Sequence, residues 1–314
     1  MKSNKFHIFL LFLCALLWGT TFAAQSIGAD HVGAGTFLAC RSWIAIVVLT
    51  PVIYAIDRIN ESYNGVSRRP VTKEDKKFML IAALFCGSFM FLASAAQQYG
   101  IAYTSTAKSS FLTALYVVLV PICSVFLGKR PPAKIWFCVL ISLVGMTLLC
   151  LGKSFLNGEA LTVEKGDVFQ IIGALLFTGQ VMSVDYFAPK LDGVRLSRAQ
   201  FVVVAIEATV MALLFDSSST ELSDIMSALP AILYAGVLSS GVAYTLQIIG
   251  QVGVNPTVAT LTMSLEAVIG ALSGWVVLGE SMLPIEILGG GMMFVSIVLS
   301  QISIGEKKKN QDEC

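Results

Sequence analysis

Charge is what this chain has least of. Asp, Glu, Lys and Arg make up 13% of its 314 residues, against 56% hydrophobic, and the mean hydropathy is +0.79. Soluble domains carry roughly a quarter charged residues, so the composition excludes a soluble fold and indicates a polytopic membrane protein. Histidine is nearly missing. His7 and His31 are the only two, they belong near opposite faces of a membrane, and no HExxH occurs, so neither a metal nor an acid–base pair is expected. Six cysteines (Cys14, Cys40, Cys86, Cys123, Cys138, Cys150) fall inside apolar stretches and Cys314 in a polar tail. None has ligand spacing, which excludes a disulfide framework. Gly152-Lys153-Ser154 ends like a phosphate loop, but Thr147 stands where the first Gly belongs. Gly33 and Gly35 likewise lack a third Gly, with Leu38 in its place. No cofactor and no ATP-driven engine are therefore expected, and a net charge of +1 indicates no nucleic-acid partner.

What the chain does have is apolar length. Apolar segments at 6–27, 33–57, 78–103, 106–127, 134–151, 168–188, 198–215, 228–250, 256–278 and 284–304 are each long enough to cross a bilayer as a helix. The expected fold is an all-α membrane protein of ten spans, with the lipid bilayer as its first partner. Ser197 is expected to cap span seven, Ser227 with Pro230 to open span eight, and Ser281 with Pro284 to open span ten. Lys2 and Lys5 precede an apolar run too long for a signal peptide, so span one is retained. With the N-terminus inside, seventeen Lys and Arg fall in cytoplasmic segments, and only Lys153 and Lys165 in outer loops. That bias places both termini in the cytoplasm of a cell membrane.

The chain repeats itself. Ala15-Leu16-Leu17-Trp18 matches Ala174-Leu175-Leu176-Phe177, and Ala93, Gln97 and Gly100 recur as Ala243, Gln247 and Gly250. Leu127-Gly128-Lys129 resembles Leu278-Gly279-Glu280. Two repeats, 1–152 and 165–305, precede a polar tail at 306–314. Five spans in each force the second copy to enter from the opposite side, which is the inverted repeat of many transporters.

Glu266 sits roughly 15 Å into the helix begun by Asn255 and Pro256, near the midplane of a ~30 Å hydrocarbon layer. A charge there costs about 2.5 to 3.5 kcal/mol, so this carboxyl must face a protein interior or cavity and be protonated, paired or ligated. Polar residues form stripes that shun lipid: Ser240, Tyr244, Gln247 and Gln251 in span eight, Thr262, Glu266 and Ser273 in span nine, and Trp18, Thr21 and Gln25 in span one. Gluing helices together would equally account for a single Ser or Thr. Arg41 lies about 10 Å below the outer surface, placed to pair with a carboxylate or hold helices together. Glu207 fits a hydrogen-bonding role, and Lys108 can snorkel to the interface. Gly289-Gly290-Gly291 permits close helix approach or a homodimer contact.

These residues resemble the EamA family, the ten-helix branch of the drug/metabolite transporter superfamily. The carriers are Trp18-Gly19-Thr20-Thr21-Phe22, Arg41, the run Phe111–Pro121, Leu265-Glu266, Gly274-Trp275 and Gly279-Glu280. The family often has Pro after the span-nine Glu, where this chain has Ala267, which argues against a kink there. The resemblance implies a cavity lined by spans one, three, four, six, eight and nine. Its candidate residues are Trp18, Thr21, Gln25, Gln97, Tyr116, Gln180, Ser240, Tyr244, Gln247, Thr262 and Glu266, with Glu266 and Arg41 for coupling or charge pairing. The expected function is secondary transport of a small-molecule solute by alternating access, as an exporter. A membrane-embedded enzyme would need two titratable groups at one depth, for which Glu207 with Glu266 is a weak pair. A sensor or assembly protein would carry a larger soluble part than a loop of about twenty residues.

Overall fold

A computed structural model of the chain describes residues 4–64, 72–104, 106–128, 131–156, 163–216, 220–278 and 283–301. Among these residues there is no strand, and nine helices are long and apolar enough to span a bilayer. The tenth, Pro284–Gln301, is shorter and equally apolar. Helices prevail because each satisfies its own backbone where no water can. The polar tail, the Leu278-Gly279-Glu280 match beyond Leu278, and the cap expected at Ser281 lie outside the described residues.

Spans one, two and three are Asn4–Ala29, Ala34–Asn64 and Lys73–Ile101. Span four comes in two pieces, Thr106–Thr113 and Tyr116–Phe126, and span five is Ala133–Leu156. Spans six and seven are Lys165–Phe187 and Gly193–Asp216; the last turn of seven is a π-helix. Span eight, Leu222–Gln251, has a π-helical middle at Ala235–Ala243, and span nine is split into Pro256–Met263 and Leu265–Leu278. Span ten is Pro284–Gln301.

Asn255 caps span nine as its sequence suggests, accepting from the Thr257 N–H at 2.9 Å with Pro256 in the first turn. Two other starts differ from expectation. Span seven begins at Gly193, where Asp192 accepts from the Arg195 N–H, and span eight at Leu222, behind a Glu221/Asp224 capping box. A carboxylate upstream satisfies the first N–H groups and suits the positive helix end. Ser197 and Ser227 consequently fall inside their helices, and Ser197 accepts a hydrogen bond from Thr245 at 2.8 Å.

Spans four and nine are not the continuous helices expected. Each breaks after two turns, at Ala114-Leu115 and at Ser264, and the two breaks lie 150 residues apart. Span nine does so with Ala267 where the family's proline would stand, so the interruption belongs to the repeat and not to a proline.

The glycine contacts show the two halves packing alike. A Cβ on Gly100 of span three would meet Gln170 Nε2 and Gly166 O of span six at 2.8 and 2.9 Å. One on Gly250 of span eight would meet Leu11 Cγ and His7 O of span one at 2.8 and 3.1 Å. The glycines are offset by 150 residues and both partners by 159. Spans five and ten meet on the symmetry axis itself: Gly145 abuts Gly289 O and Met293 N, while Gly289 abuts Gly145 O and Leu149 N. Lipid tails are as apolar as leucine, so such close backbone contact is what holds these helices together.

Candidate functional site

Between the halves lies a cavity of ≈ 360 Å³ lined by Trp18, Thr21, Phe22, Gln25, Arg41, Gln97, Thr113, Tyr116, Phe177, Ser239, Tyr244 and Glu266. Eight of the residues expected from sequence are in that wall. Four are not. Gln180 and Gln247 hydrogen-bond to each other at 3.0 and 3.3 Å and are fully buried, Thr262 bonds back to Val258 O at 2.9 Å, and Ser240 is buried beside the cavity-lining Ser239. The wall also holds Phe22, Thr113, Phe177 and Ser239, which the polar stripes missed. Phe22 and Thr113 stood in the motifs that carry the resemblance, and Phe177 aligns with Trp18 in the repeat, so a signal for these three was present.

The breaks in spans four and nine place the cavity's central pair. Tyr116 opens the second half of span four and Glu266 that of span nine, so they are repeat mates, and they lie side by side on the axis. One half contributes an acid where the other contributes a phenol. Trp18 stacks on Tyr244 with ring centroids 4.7 Å apart, and Phe201 packs edge-on against the far side of Tyr244 at 5.6 Å. These rings fix the cavity wall.

Four polar atoms in this wall have no hydrogen-bond partner: Trp18 Nε1, Arg41 Nε, Tyr116 OH and Glu266 Oε1. Arg41 and Glu266 are 2% and 3% exposed. Buried polar groups are ordinarily paired, and a buried charge left alone costs several kcal/mol. Convergence of four such atoms on one space marks a place where a guest supplies the missing bonds.

Take the face bearing Asn4 as the near face. The cavity is closed toward the far face by a polar clasp. Gln25 donates to Gln97 Oε1 at 3.1 Å, Gln97 to Thr113 Oγ1 at 3.2 Å, Thr113 to Gln170 Oε1 at 3.0 Å, and Gln98 to Gln25 O at 3.1 Å. Beyond it Lys108 does not simply snorkel but pairs with Asp167 at 2.6 Å, and Thr104 donates to the same carboxylate at 2.8 Å. The Lys108 and Thr104 bonds, together with that carboxylate's acceptance of the Glu164 N–H, are expected to hold Asp167 below the ordinary cost of a buried charge. Asp167→Ala strands the ammonium, a change worth up to about 3–5 kcal/mol. The check is a markedly lower apparent Tm in detergent. The near face is closed at the repeat-related positions by apolar residues instead: Leu11, Val184, Ile248 and Met263 are all fully buried.

Glu207 lies away from the cavity and accepts from Ser88 at 2.6 Å, tying span seven to span three. No described carboxylate pairs with Arg41. Among the described residues no group of His, Cys, Asp and Glu is placed to hold a metal ion.

The EamA-like transporter family matches this chain twice, over residues 5–151 and 164–301. Two relatives, both named uncharacterized transporters, are each 24% identical. The one from Archaeoglobus fulgidus aligns with 94% of this chain and 85% of its own length, and YwfM of Bacillus subtilis with 100% and 98%. A solved crystal structure shares the fold with a TM-score of 0.72 at 18% identity, covering 95% of this chain and 97% of its own. Ten apolar spans in two repeats, both matched by the same family and together covering most of the chain, carry one conclusion: this chain belongs to the EamA-like transporter family.

Proposed function

We propose that this membrane transporter carries a small organic solute through the central cavity by alternating access, in the direction of export. The single observation behind this is the convergence of unpaired Arg41, Glu266, Tyr116 and Trp18 on a closed chamber between two repeats. Glu266 either binds an amine of the solute or exchanges a proton, because a carboxyl with a free oxygen in a dry interior has no other cheap way to satisfy itself. The chamber's size suits a small molecule. The asymmetry of Lys and Arg supports assigning the near face, and both termini, to the cytoplasm of a cell membrane. Gly291, with open space beside it on span ten, is the place proposed for contact with a second copy.

Solute flux into liposomes containing the protein tests this reading. Candidates come from a thermal-shift panel of amino acids, nucleosides and organic cations, since a solute that binds only the folded form raises Tm. Carrier-dependent flux of a stabilising compound is expected. No flux for any stabilising compound would refute it.

A further inference from the structure

We infer that the cavity receives a carboxylate of its guest at the end formed by Arg41, Ser239 and Tyr244, and that one inserted residue in span eight builds this end. The inference deepens the transport reading above and rests on it.

The insertion is legible in two independent registers. Gly87 of span three abuts Val203 and Gln200 O of span seven, at 2.7 and 2.9 Å from an added Cβ, and Gly236 of span eight abuts Ile44 and Arg41 O of span two at 2.8 and 3.1 Å. Both partners keep the 159-residue offset, but the glycines are 149 apart, not the 150 that separates Gly100 from Gly250. Span three therefore uses thirteen residues between its two contacts, and span eight uses fourteen to join equivalent points. The surplus residue falls in the π-helical stretch Ala235–Ala243, where the Tyr244 N–H reaches back five residues to Ser239 O. A π-turn is how a helix absorbs one extra residue.

Burial repeats the pattern. Along span three a single buried residue, Met90, sits between the half-buried Phe89 and Phe91. Span eight has consecutive buried serines, Ser239 and Ser240, in that place. Met90 is core and does not reach the cavity, whereas Ser239 lines it. The insertion thus gives the second half a hydroxyl that the first half has no means of presenting.

That hydroxyl joins a set of donors. Arg41 holds a guanidinium that is 2% exposed, with Nε unpaired and no described carboxylate within salt-bridge distance. Tyr244 OH lies beside it, and Trp18 Nε1–H is free at the same wall. A guanidinium presents a planar fork that fits a carboxylate's two oxygens, and the pair is strongest where water is excluded. Glu266, the wall's acid, sits instead beside Tyr116.

The test is binding in detergent, without flux, using butyrate, hexanoate and benzoate against their amides. The carboxylates are expected to raise Tm and the amides not, with Arg41→Gln abolishing the difference and Ser239→Met weakening carboxylate binding at least about ten-fold, or ~1.4 kcal/mol. Deleting Val242, which faces outward from the π-stretch, restores the thirteen-residue spacing. That variant is expected to fold in good yield yet bind as poorly as Ser239→Met, whereas deleting Leu92 at the matching place in span three, which has no residue to spare, prevents folding. Equal effects of acids and amides, no effect of any carboxylate, or a difference that survives Arg41→Gln overturns the carboxylate site. A Val242 deletion that folds no better than the Leu92 deletion overturns the insertion. Flux without carboxylate binding counts against this inference alone, and carboxylate binding without flux counts against transport alone.

Discussion

Glu266→Gln is expected to lower solute flux in reconstituted vesicles at least about ten-fold, the effect of losing ~1.4 kcal/mol, and to flatten its dependence on pH. The substitution keeps the shape of the side chain, so the helix break at Ser264 and the packing of span nine on span one survive. What disappears is the capacity to hold a negative charge or a proton beside Tyr116. A charge-assisted bond to a solute amine is worth about 1.5–3 kcal/mol, and a proton-exchanging step would be lost altogether. Unchanged folding with collapsed flux distinguishes this from damage to the fold. Flux and pH profile both equal to the parent's would remove Glu266 from the mechanism.

Gly289→Leu is expected to abolish folded protein. A Cβ there would stand 2.4 Å from Gly145 O and 2.5 Å from Leu149 N, both backbone atoms that cannot swing aside as a side chain would. Overpacking in a filled interior costs about 1–3 kcal/mol even when side chains can yield. Here the two helices must part along the symmetry axis. Gly291→Ala, two residues on, meets nothing within 4 Å and is expected to be neutral. Folded yield and Tm of the two variants, purified alongside the parent, read the difference. Equal yields would mean that spans five and ten are not packed this tightly.

Much of this was legible because a bilayer leaves few choices. Ten apolar runs, the offsets of 150 and 159 residues, and the depth of Glu266 follow from spacing alone. Trp18, Thr21, Gln25, Arg41, Gln97, Tyr116, Tyr244 and Glu266 all reach one cavity, as stripes and family motifs suggest together. Helical periodicity failed at its own assumption. It takes 3.6 residues per turn throughout, and the π-stretch breaks that count at Ser239 and Ser240, so the stripe through span eight names the serine that does not line the cavity. Gln180 and Gln247 show a second limit: two amides on facing helices satisfy each other, which no single-helix pattern reveals. The breaks in spans four and nine are set by repeat geometry, and the missing proline at Ala267 pointed away from them.

The central claim is one chamber shared in turn by two faces. Ser239→Cys, in a background with the native cysteines replaced, offers a thiol on the chamber wall. A small membrane-impermeant thiol reagent is added from one side of oriented vesicles, then, in a separate sample, from the other. Labelling of this one residue from either side, slowed by a bound solute, is the predicted result. Labelling confined to a single side whatever the solute, or no labelling at all, would contradict it.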